Sequence, residues 1–315
     1  MGIKALFTFN YGNEKMKAIE DLGYDIIFED EKKIVYSEEL SEIEVLVCYN
    51  PFITLDISKM KKLKWIQLSS AGIDQLPVNF AKGTSIIVSN NKGGYGIPMG
   101  EWVVLKILEM LKHSALLYNN QNKKIWKMDS KILELFDKTV GFIGTGNIAQ
   151  QSAKRLQGFG VKILGLNTSG STVKYFDKCF SSKDIDEMLS LSDIVVLTIP
   201  FTEDTYHLIN SERISHMKGG AYFVNIARGV IVDEKALIEA LQDGKISGAS
   251  LDVVENEPLS KDSPLWEMKN VIITPHNSWI SEKRNDRRYE LVFENMKNYV
   301  EGKELKNIID LNRGY

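Results

Sequence analysis

The chain has 315 residues, 43% of them hydrophobic and 26% charged, which suits two globular domains and gives no compositional sign of disorder. A formal net charge of −3, without a clustered excess of Lys and Arg, gives no reason to expect a nucleic-acid partner. Cys48 and Cys179 are too few and too far apart in sequence for a disulfide framework or a zinc site. No segment reaches the ~18 apolar residues of a membrane helix. We therefore expect a cytoplasmic protein without a metal or a membrane partner.

The first third of the chain alternates short apolar runs with turns and segments of helical spacing. This pattern predicts a small flavodoxin-like β/α domain with a parallel sheet. The predicted strands cover residues 5–9, 25–28, 45–49, 65–68 and 85–88.

Two loops in this region, residues 49–52 and 69–74, follow predicted strands directly. Ligands of parallel sheets bind beyond the carboxyl ends of the strands, so both loops are candidate ligand sites. In the second loop, Ser70, Ala71 and Gly72 are small enough to expose consecutive backbone N–H groups to an anion, which makes them the candidate substrate-binding residues. An ordinary helix start capped by Ser69 explains the same sequence equally well.

A cluster of turn-forming residues at 90–98 precedes a helical pattern from Met99 to about Tyr118. We expect the chain to cross from a first to a second domain at this cluster. One apolar face of the predicted helix is expected to be core, with a dimer face as the alternative. That face consists of Trp102, Leu105, Leu108 and Leu111.

From Thr139 the alternation of strand and helix patterns becomes longer and more regular. It predicts an α/β domain with a Rossmann-type doubly wound parallel sheet covered on both faces. The predicted strands are residues 140–143, 161–166, 194–199, 221–225, 248–252 and 271–274, and the predicted helices are residues 148–159, 182–189 and 234–243, with a further short element at 203–208.

A glycine-rich turn joins the first of these strands to the first helix. Gly144 would permit the tight turn, Gly146 would let a pyrophosphate approach the backbone, and Ala149 stands where a third glycine usually packs helix on strand. A phosphate placed there would meet free N–H groups at the positive end of a helix. In this strand-to-helix context the turn predicts a dinucleotide site.

The second strand of the domain ends at Asn167, where an NAD site usually has a carboxylate that binds the ribose hydroxyls. The neutral side chain removes the repulsion that a 2′-phosphate would meet. Thr168, Ser169 and Lys174 are available to receive such a phosphate, although no Arg is nearby to clamp it. The sequence therefore favours NADP over NAD.

Three later strand ends carry residues suited to acid–base and anion chemistry. Arg228, Glu257 and His276 each follow a predicted strand, and the carboxyl ends of parallel strands meet at one edge of the sheet. Each residue alone could be an ordinary loop charge or a packed histidine. Their arrival at one edge indicates a catalytic site instead.

A 2-keto acid is the substrate that this trio fits. A protonated His276 can give its proton to the developing alkoxide while hydride from a reduced nicotinamide goes to the carbonyl carbon. Glu257 would hold the other ring nitrogen and favour the protonated imidazole. Arg228 would grip the substrate carboxylate, with the backbone of residues 70–72 as a second anion contact.

The ordered motifs of the chain resemble those of the D-isomer-specific 2-hydroxyacid dehydrogenase family. The similarity covers nearly the whole chain. It is carried by Gly144-x-Gly146-x-x-Ala149, Pro200-Phe201-Thr202-x-x-Thr205, Asn225-Ile226-Ala227-Arg228-Gly229, Leu251-Asp252-Val253-Val254-x-x-Glu257-Pro258, Pro264-Leu265-Trp266 and Thr274-Pro275-His276.

The resemblance implies roles for residues along these motifs. Arg228, Glu257 and His276 match the catalytic set, and Asp252 matches an aspartate that contacts the nicotinamide carboxamide. A homodimer built around the helix near residues 98–118 and the segment after it is also implied. The implied cofactor contacts are Gly144, Thr145, Gly146, Asn147, Ile148, Asn167, Thr168, Ser169, Pro200, Thr205, Ala227 and Asp252.

Taken together, these observations predict two α/β domains with the active site in the cleft between them. Residues 1–94 and 281–315 form the predicted substrate-binding domain, which the C-terminal helix completes, and residues 95–280 form the NAD(P)-binding domain. The expected reaction is the NAD(P)H-dependent reduction of a small 2-keto acid, such as glyoxylate or hydroxypyruvate, to a D-2-hydroxy acid, and its reverse.

Two other functions are compatible with the fold. One is a dinucleotide-sensing, corepressor-like protein without catalysis, which the presence of all three catalytic side chains argues against. The other is a formate or phosphite dehydrogenase, which local sequence does not separate from a keto-acid reductase.

Overall fold

The computed structural model describes residues 2–314, so Met1 and Tyr315, the outer limits of the predicted first domain, lie outside the described residues. The chain divides into two compact units at Gly94 and again at Ile280. Residues 2–94 and 281–314 form the first unit, and residues 95–280 form the second.

The first unit contains a parallel sheet whose strands occupy the order β2-β1-β3-β4-β5, which is the flavodoxin-like order. The fold predicted for this part of the chain is therefore confirmed. The strands are β1 (Ile3–Phe7), β2 (Tyr24–Phe28), β3 (Val45–Cys48), β4 (Trp65–Leu68) and β5 (Ile87–Ser89).

Helices on the two faces of this sheet complete the first unit. They are α1 (Asn13–Glu20), α2 (Val78–Lys82) and the C-terminal helix α9 (Arg284–Val300). Val292 and Met296 of α9 are fully buried in one core with Phe7 and Trp65 of the sheet. The Tyr24 hydroxyl donates to the Met296 carbonyl over 2.8 Å, which fixes α9 to the edge of the sheet.

The second unit contains a larger parallel sheet with the strand order β12-β11-β10-β9-β6-β7-β8, which is the Rossmann order extended by one strand. This confirms the predicted fold class. The strands are β6 (Thr139–Ile143), β7 (Lys162–Asn167), β8 (Lys178–Ser181), β9 (Ile194–Leu197), β10 (Ala221–Asn225), β11 (Ile246–Leu251) and β12 (Val271–Ile273).

Two groups of helices surround the larger sheet. α3 packs against α5 and over β10 and β11, whereas α6, α7 and α8 pack side by side. Their ranges are α3 (Gly96–Leu111), α4 (Ser114–Asn122), α5 (Asn147–Leu156), α6 (Ile185–Leu191), α7 (Ser211–His216) and α8 (Glu234–Gln242). In the part of the chain that is described, no helix is both long and apolar enough to cross a bilayer.

The single helix predicted from Met99 to about Tyr118 is wrong, because the structure has two helices, α3 and α4. They are separated at His113, whose backbone is left-handed with φ 50°. The His113 ring lies 2.7 Å from the Asp129 carboxylate, so a residue sixteen positions later fixes the break.

The core face predicted for this helix is also mostly wrong. Leu111 is buried, but Leu105 is 44% exposed, and Trp102 and Leu108 are only half-buried. Apolar residues occur around most of α3, so the sequence does not single out one stripe, and packing against α5 decides which face is enclosed. The enclosed residues of α3 include Met99, Val103, Ile107 and Met110.

Candidate active site

The three predicted catalytic side chains follow neighbouring strands of the larger sheet. Arg228 comes after β10, Glu257 after β11 and His276 after β12. These strands pair in parallel, β10 with β11 and β11 with β12, so their carboxyl ends lie at the same edge. The topology therefore delivers the three residues to one side of the second unit.

The structure joins two of the three side chains directly. His276 Nδ1 lies 2.9 Å from Glu257 Oε2, and each of the two side chains is about two-fifths exposed, at 40% and 39%. With Nδ1 held by the carboxylate, Nε2 is the ring nitrogen that can face a substrate. The carboxylate also fixes the orientation of the ring.

The backbone of His276 is held in an uncommon conformation, with φ 51° in the left-handed region that non-glycine residues rarely adopt. Its N–H donates to the Asp252 carbonyl over 2.7 Å, and its carbonyl accepts from Trp279 Nε1 over 2.8 Å. Contacts on both sides thus maintain a strained backbone, which is typical of a functional residue.

A buried carboxylate, Asp252, holds the loop that carries His276. Asp252 is 2% exposed. Its Oδ1 accepts from the Thr274 hydroxyl at 2.7 Å and the Asn277 N–H at 2.8 Å, and its Oδ2 accepts from the Ser278 N–H at 2.9 Å. Asp252 therefore positions the histidine loop through three hydrogen bonds, which the sequence did not predict.

The Arg228 loop is held by the side chain of the last residue of β10 and by close packing. The Asn225 side chain accepts from the Ala227 N–H and donates to the Arg228 carbonyl, both over 3.0 Å. A Cβ on Gly229 would lie 1.8 Å from the Val254 carbonyl oxygen, so only glycine allows this loop to approach the loop that leads to Glu257. Arg228 Nη1 donates to the Ala227 carbonyl over 2.7 Å.

The glycine turn has the geometry that its sequence predicts. Gly144 has φ 98°, and a Cβ there would lie 2.8 Å from Ile199 Cγ2, so the position requires glycine. Ala149 is fully buried on the sheet side of α5. Apart from Gly146 and its two chain neighbours, no described residue has an atom within 4 Å of a Cβ built on Gly146, so the backbone faces open space there.

The start of α5 is suited to a phosphate group. The helix begins at Asn147 without an acidic residue in its first turn. The first N–H groups of a helix have no intrahelical partner and face the positive end of the helix dipole. Open space at Gly146 and these donors together fit a pyrophosphate.

The Asn167 side chain organises the loop after β7. Its Nδ2 donates to the Thr145 hydroxyl over 3.3 Å and to the Ser171 carbonyl over 2.9 Å, and its Oδ1 accepts from the Ser169 N–H over 3.2 Å. The Ser169 hydroxyl lies 3.0 Å from that of Ser171. The loop presents hydroxyl groups to solvent and has no carboxylate between residues 167 and 176.

In the first unit, the loop after β4 is not a helix start, since the next helix, α2, begins only at Val78. The alternative interpretation of Ser69 as a helix cap is therefore wrong. The Ser70 hydroxyl donates to the Gly72 carbonyl over 2.7 Å and accepts from Gln75 Nε2 over 2.7 Å. Within residues 2–314, the N–H groups of Ser70, Ala71 and Gly72 donate no backbone hydrogen bond.

The amino-acid sequence matches the family model described as "D-isomer specific 2-hydroxyacid dehydrogenase, NAD binding domain" over residues 104–278, more than half of the chain. The chain belongs to the D-isomer-specific 2-hydroxyacid dehydrogenase family. It is therefore an NAD(P)-dependent oxidoreductase acting on 2-keto and D-2-hydroxy acids, and the predicted family, enzyme class and nicotinamide dinucleotide cofactor are confirmed.

Relatives in this family carry several names. The D-3-phosphoglycerate dehydrogenase of Methanocaldococcus jannaschii is 33% identical over 98% of this chain, which spans 60% of that protein's length. The hydroxypyruvate reductase of Thermotoga maritima is 36% identical, with 75% of this chain and 78% of that protein aligned. The NADPH-dependent glyoxylate/hydroxypyruvate reductase of Sinorhizobium meliloti, solved in complex with NADP and sulfate, superposes with a TM-score of 0.83 at 26% identity over 99% of both chains.

Two further family motif residues, Pro200 and Thr205, lie in a loop that bonds mainly to itself. The Thr205 hydroxyl accepts from the Thr202 N–H over 2.7 Å and donates to the Pro200 carbonyl over 3.1 Å. These contacts shape the loop after β9, at the same carboxyl edge as the glycine turn. They neither require nor prevent a cofactor contact.

The residues that sequence reasoning missed are those that position His276. The sequence places Asp252 directly after a buried strand, but no sequence signal marks its three hydrogen bonds to residues 274–278. Trp279 is not among the predicted site residues, and its indole N–H donates to the His276 carbonyl.

Proposed function

We propose that this dehydrogenase reduces small 2-keto acids of the glyoxylate and hydroxypyruvate type, with Arg228, Glu257 and His276 as its catalytic residues. The observation that carries the proposal is the 2.9 Å contact between His276 Nδ1 and Glu257. A histidine oriented by a carboxylate, with its other nitrogen free for a substrate, is the arrangement that proton transfer requires. The names of the Thermotoga and Sinorhizobium relatives support this substrate class.

His276 is the proposed general acid in reduction and the general base in oxidation. Its Nε2 proton goes to the oxygen that was the keto oxygen, and Glu257 stabilises the charged ring before transfer. When bound, a reduced nicotinamide supplies the hydride for the keto carbon. The chain's own part is to deliver the proton and hold the substrate.

Arg228 is proposed to bind the substrate carboxylate and to polarise the adjacent carbonyl. A guanidinium can make two parallel hydrogen bonds to a carboxylate, which fixes orientation as well as charge. In the first unit, the N–H groups of Ser70, Ala71 and Gly72 offer a separate anion contact, because Ser70 and Gln75 hold the loop in shape while those donors stay free.

The dinucleotide is proposed to bind along the glycine turn and the loops beside it. Gly144, Gly146 and the first turn of α5 would hold the pyrophosphate. The motif residues of the neighbouring loops are proposed to hold the rest of the dinucleotide, and they are Thr145, Asn147, Ile148, Asn167, Thr168, Ser169, Pro200, Thr205, Ala227 and Asp252.

NADP is the proposed cofactor rather than NAD. The loop after β7 has hydroxyl groups and Asn167 where a carboxylate would repel a 2′-phosphate. Lys174, whose ammonium lies 4.9 Å from the Tyr175 ring centroid, supplies a positive charge in the same segment. The Sinorhizobium relative is NADPH-dependent, which supports the same choice.

A homodimer is the proposed assembly, with residues 114–136 as its contact surface. This segment exposes apolar side chains that its own unit leaves uncovered, and the Trp126 side chain is fully exposed. A patch of this kind is typical of a protein–protein interface. Light scattering should give twice the 35.7 kDa chain mass, and a monomeric wild-type protein at micromolar concentration would contradict the proposal. The exposed apolar residues are Leu116, Leu117, Tyr118, Ile125, Trp126, Met128, Ile132, Leu133 and Phe136.

A reducing compartment, the cytoplasm, is the proposed location. Cys48 and Cys179 are both free thiols. Burial raises the pKa of the Cys48 thiol well above its ordinary value, so this thiol stays protonated and inert.

A substrate panel tests the proposed function. Oxidation of NADPH and NADH is followed with glyoxylate, hydroxypyruvate, pyruvate and longer 2-keto acids. We expect turnover with the first two acids and a larger kcat/KM with NADPH. Dinucleotide binding without turnover of any keto acid would contradict the proposal and point to a sensor, and oxidation of formate or phosphite would point to the related dehydrogenases.

A further inference from the structure

A second pair of histidine and carboxylate involves the loop that carries Glu257. His207 Nε2 lies 2.9 Å from Glu255 Oε1, and Glu255 stands two positions before Glu257 in the chain. The two side chains are only 29% and 24% exposed, so water competes little for this contact. The proposed reaction uses neither His207 nor Glu255, and the pair therefore needs another explanation.

His207 is held through both its backbone and its ring. Its N–H donates to the Val230 carbonyl over 3.0 Å, and its φ of 47° lies in the left-handed region, as that of His276 does. The ring stacks on that of Tyr206, with the centroids 4.0 Å apart and the planes inclined by 13°. An uncommon backbone conformation that several contacts maintain is typical of a residue with a function.

The partner of His207, Glu255, is tied to the start of α8. Its Oε2 accepts from the Glu234 N–H over 3.4 Å, and its own N–H donates to Glu234 Oε2 over 3.1 Å. Glu234 is the first residue of α8, where the positive end of the helix dipole favours a carboxylate. The Glu255 carboxylate is therefore held between a helix on one side and the His207 ring on the other.

His207 links the segments that follow three neighbouring strands of the larger sheet. It lies after β9, its backbone donates to the segment after β10, and its ring contacts the segment after β11. The last two segments also pack closely, since a Cβ on Gly229 would lie 2.4 Å from the Glu255 nitrogen. Arg228 and Glu257 belong to these two segments, so the contacts of His207 join the loops of two proposed catalytic residues.

We propose that His207 is a positioning residue for Glu257. By holding Glu255, it fixes the segment that presents the Glu257 carboxylate to His276 Nδ1 over 2.9 Å. Only one residue separates Glu255 from Glu257, so a shift of the main chain at the first passes to the second. A misplacement of about 1 Å can cost about 100-fold in rate. The inference rests on the proposed function, in which Glu257 orients His276.

A matched pair of variants separates the hydrogen bond of His207 from its packing. His207→Phe keeps a ring for Tyr206 but has no N–H for Glu255, whereas His207→Gln has no ring but keeps an amide N–H that can reach Glu255. With glyoxylate and NADPH, we expect His207→Phe to lower kcat about 10- to 100-fold and His207→Gln to stay within about threefold of wild type. A normal kcat in the Phe variant with a reduced kcat in the Gln variant would show that His207 only packs, and would overturn the proposal.

The loss should be confined to kcat. The Val230 carbonyl still receives the backbone N–H of residue 207 in both variants, so the Arg228 loop keeps this contact and KM for glyoxylate should change less than about threefold. His216→Phe, at the exposed end of α7, makes the same replacement and should retain wild-type kcat and KM. If His207→Phe does not fold, Glu255→Gln replaces it with the same expected loss, because an amide cannot accept from both His207 and the Glu234 N–H.

A double-mutant cycle tests whether His207 acts through Glu257. Glu257→Ala leaves no carboxylate to position, so adding His207→Phe to it should lower kcat by less than about twofold further. A full additional loss of 10- to 100-fold would mean that His207 acts elsewhere and would overturn the proposal. An unchanged kcat in Glu257→Ala alone would instead refute the proposed role of Glu257 and leave His207 nothing to position.

Hydrogen exchange of the amides at residues 253–257 tests the link without requiring turnover. We expect exchange about tenfold faster or more in His207→Phe and wild-type exchange in His207→Gln, since a hydrogen bond to a charged group is lost only in the first. This result in an enzyme that reduces no keto acid would refute the proposed function and retain the structural link. Wild-type exchange in His207→Phe, in an enzyme that reduces keto acids normally, would overturn this inference alone.

Discussion

Replacing Asp252 by Asn removes the charge that holds the His276 loop while preserving the shape of the side chain. The amide can accept hydrogen bonds through only one of its two terminal atoms. In the favourable orientation it keeps the Thr274 and Asn277 donors and places its NH₂ group against the Ser278 N–H. Ser278 is 1% exposed, so its N–H finds no water in exchange.

The expected loss follows from these three contacts. One buried donor left without a partner costs about 1–3 kcal/mol. The two remaining bonds lose their charge assistance, which about halves their strength and adds about 1 kcal/mol. We therefore expect Asp252→Asn to lower the free energy of unfolding by about 2–4 kcal/mol, which lowers Tm by about 5–15 °C for a unit of this size.

Thermal unfolding, steady-state kinetics and dinucleotide titration together test the reasoning. A displaced His276 should reduce kcat about 100-fold, and loss of the charge that is proposed to contact the dinucleotide should raise the dissociation constant of the dinucleotide as well. Asp243→Asn, at the exposed end of α8, removes the same charge and should stay within about 0.5 kcal/mol of wild type. An unchanged Tm with weakened dinucleotide binding would refute the structural role of Asp252 in the His276 loop and leave only its proposed cofactor contact.

Other substitutions test the remaining site residues. His276→Ala should reduce kcat about 10²- to 10⁴-fold by removing the general acid, and near wild-type turnover would rule out that role. Arg228→Lys should raise KM and lower kcat for every 2-keto acid, because an ammonium group does not reproduce the two parallel hydrogen bonds of a guanidinium to a carboxylate. Unchanged kinetics would exclude the contact between Arg228 and the substrate carboxylate. Asn167→Asp should move the kcat/KM ratio toward NADH by repelling the 2′-phosphate, and a constant ratio would place the ribose contact elsewhere. Gly144→Ala should weaken dinucleotide binding in fluorescence titrations, because the new methyl group meets Ile199 at a backbone φ of 98°, and wild-type affinity would show that the turn tolerates a Cβ.

The strands of both sheets could be predicted because they are short apolar runs bounded by turn residues. β8 was missed because it is a short edge strand in which only Phe180 is buried, so it lacks that pattern. The break at His113 was missed because neither Gly nor Pro marks it. Its cause is the pairing with Asp129, which only the folded chain brings near.

The arrival of the three proposed catalytic side chains at one edge could be predicted because each follows a strand and the ends of parallel strands share an edge. The pairing of His276 with Glu257 followed from the chemistry expected of them, and the structure shows it. The residues that hold these groups could not be predicted in the same way. The contacts of Asp252 and Trp279 depend on the path of the backbone at residues 274–279, which hydrophobic patterning does not specify.

The position of α9 affects the order in which the protein can fold during synthesis. Val292 and Met296 cover the face of the smaller sheet that contains Phe7 and Trp65. The ribosome has therefore released the whole larger unit, residues 95–280, before the last layer of the smaller unit exists. Until then only α1 can cover part of this apolar sheet face, which makes this interval the period of greatest exposure to aggregation and to chaperones.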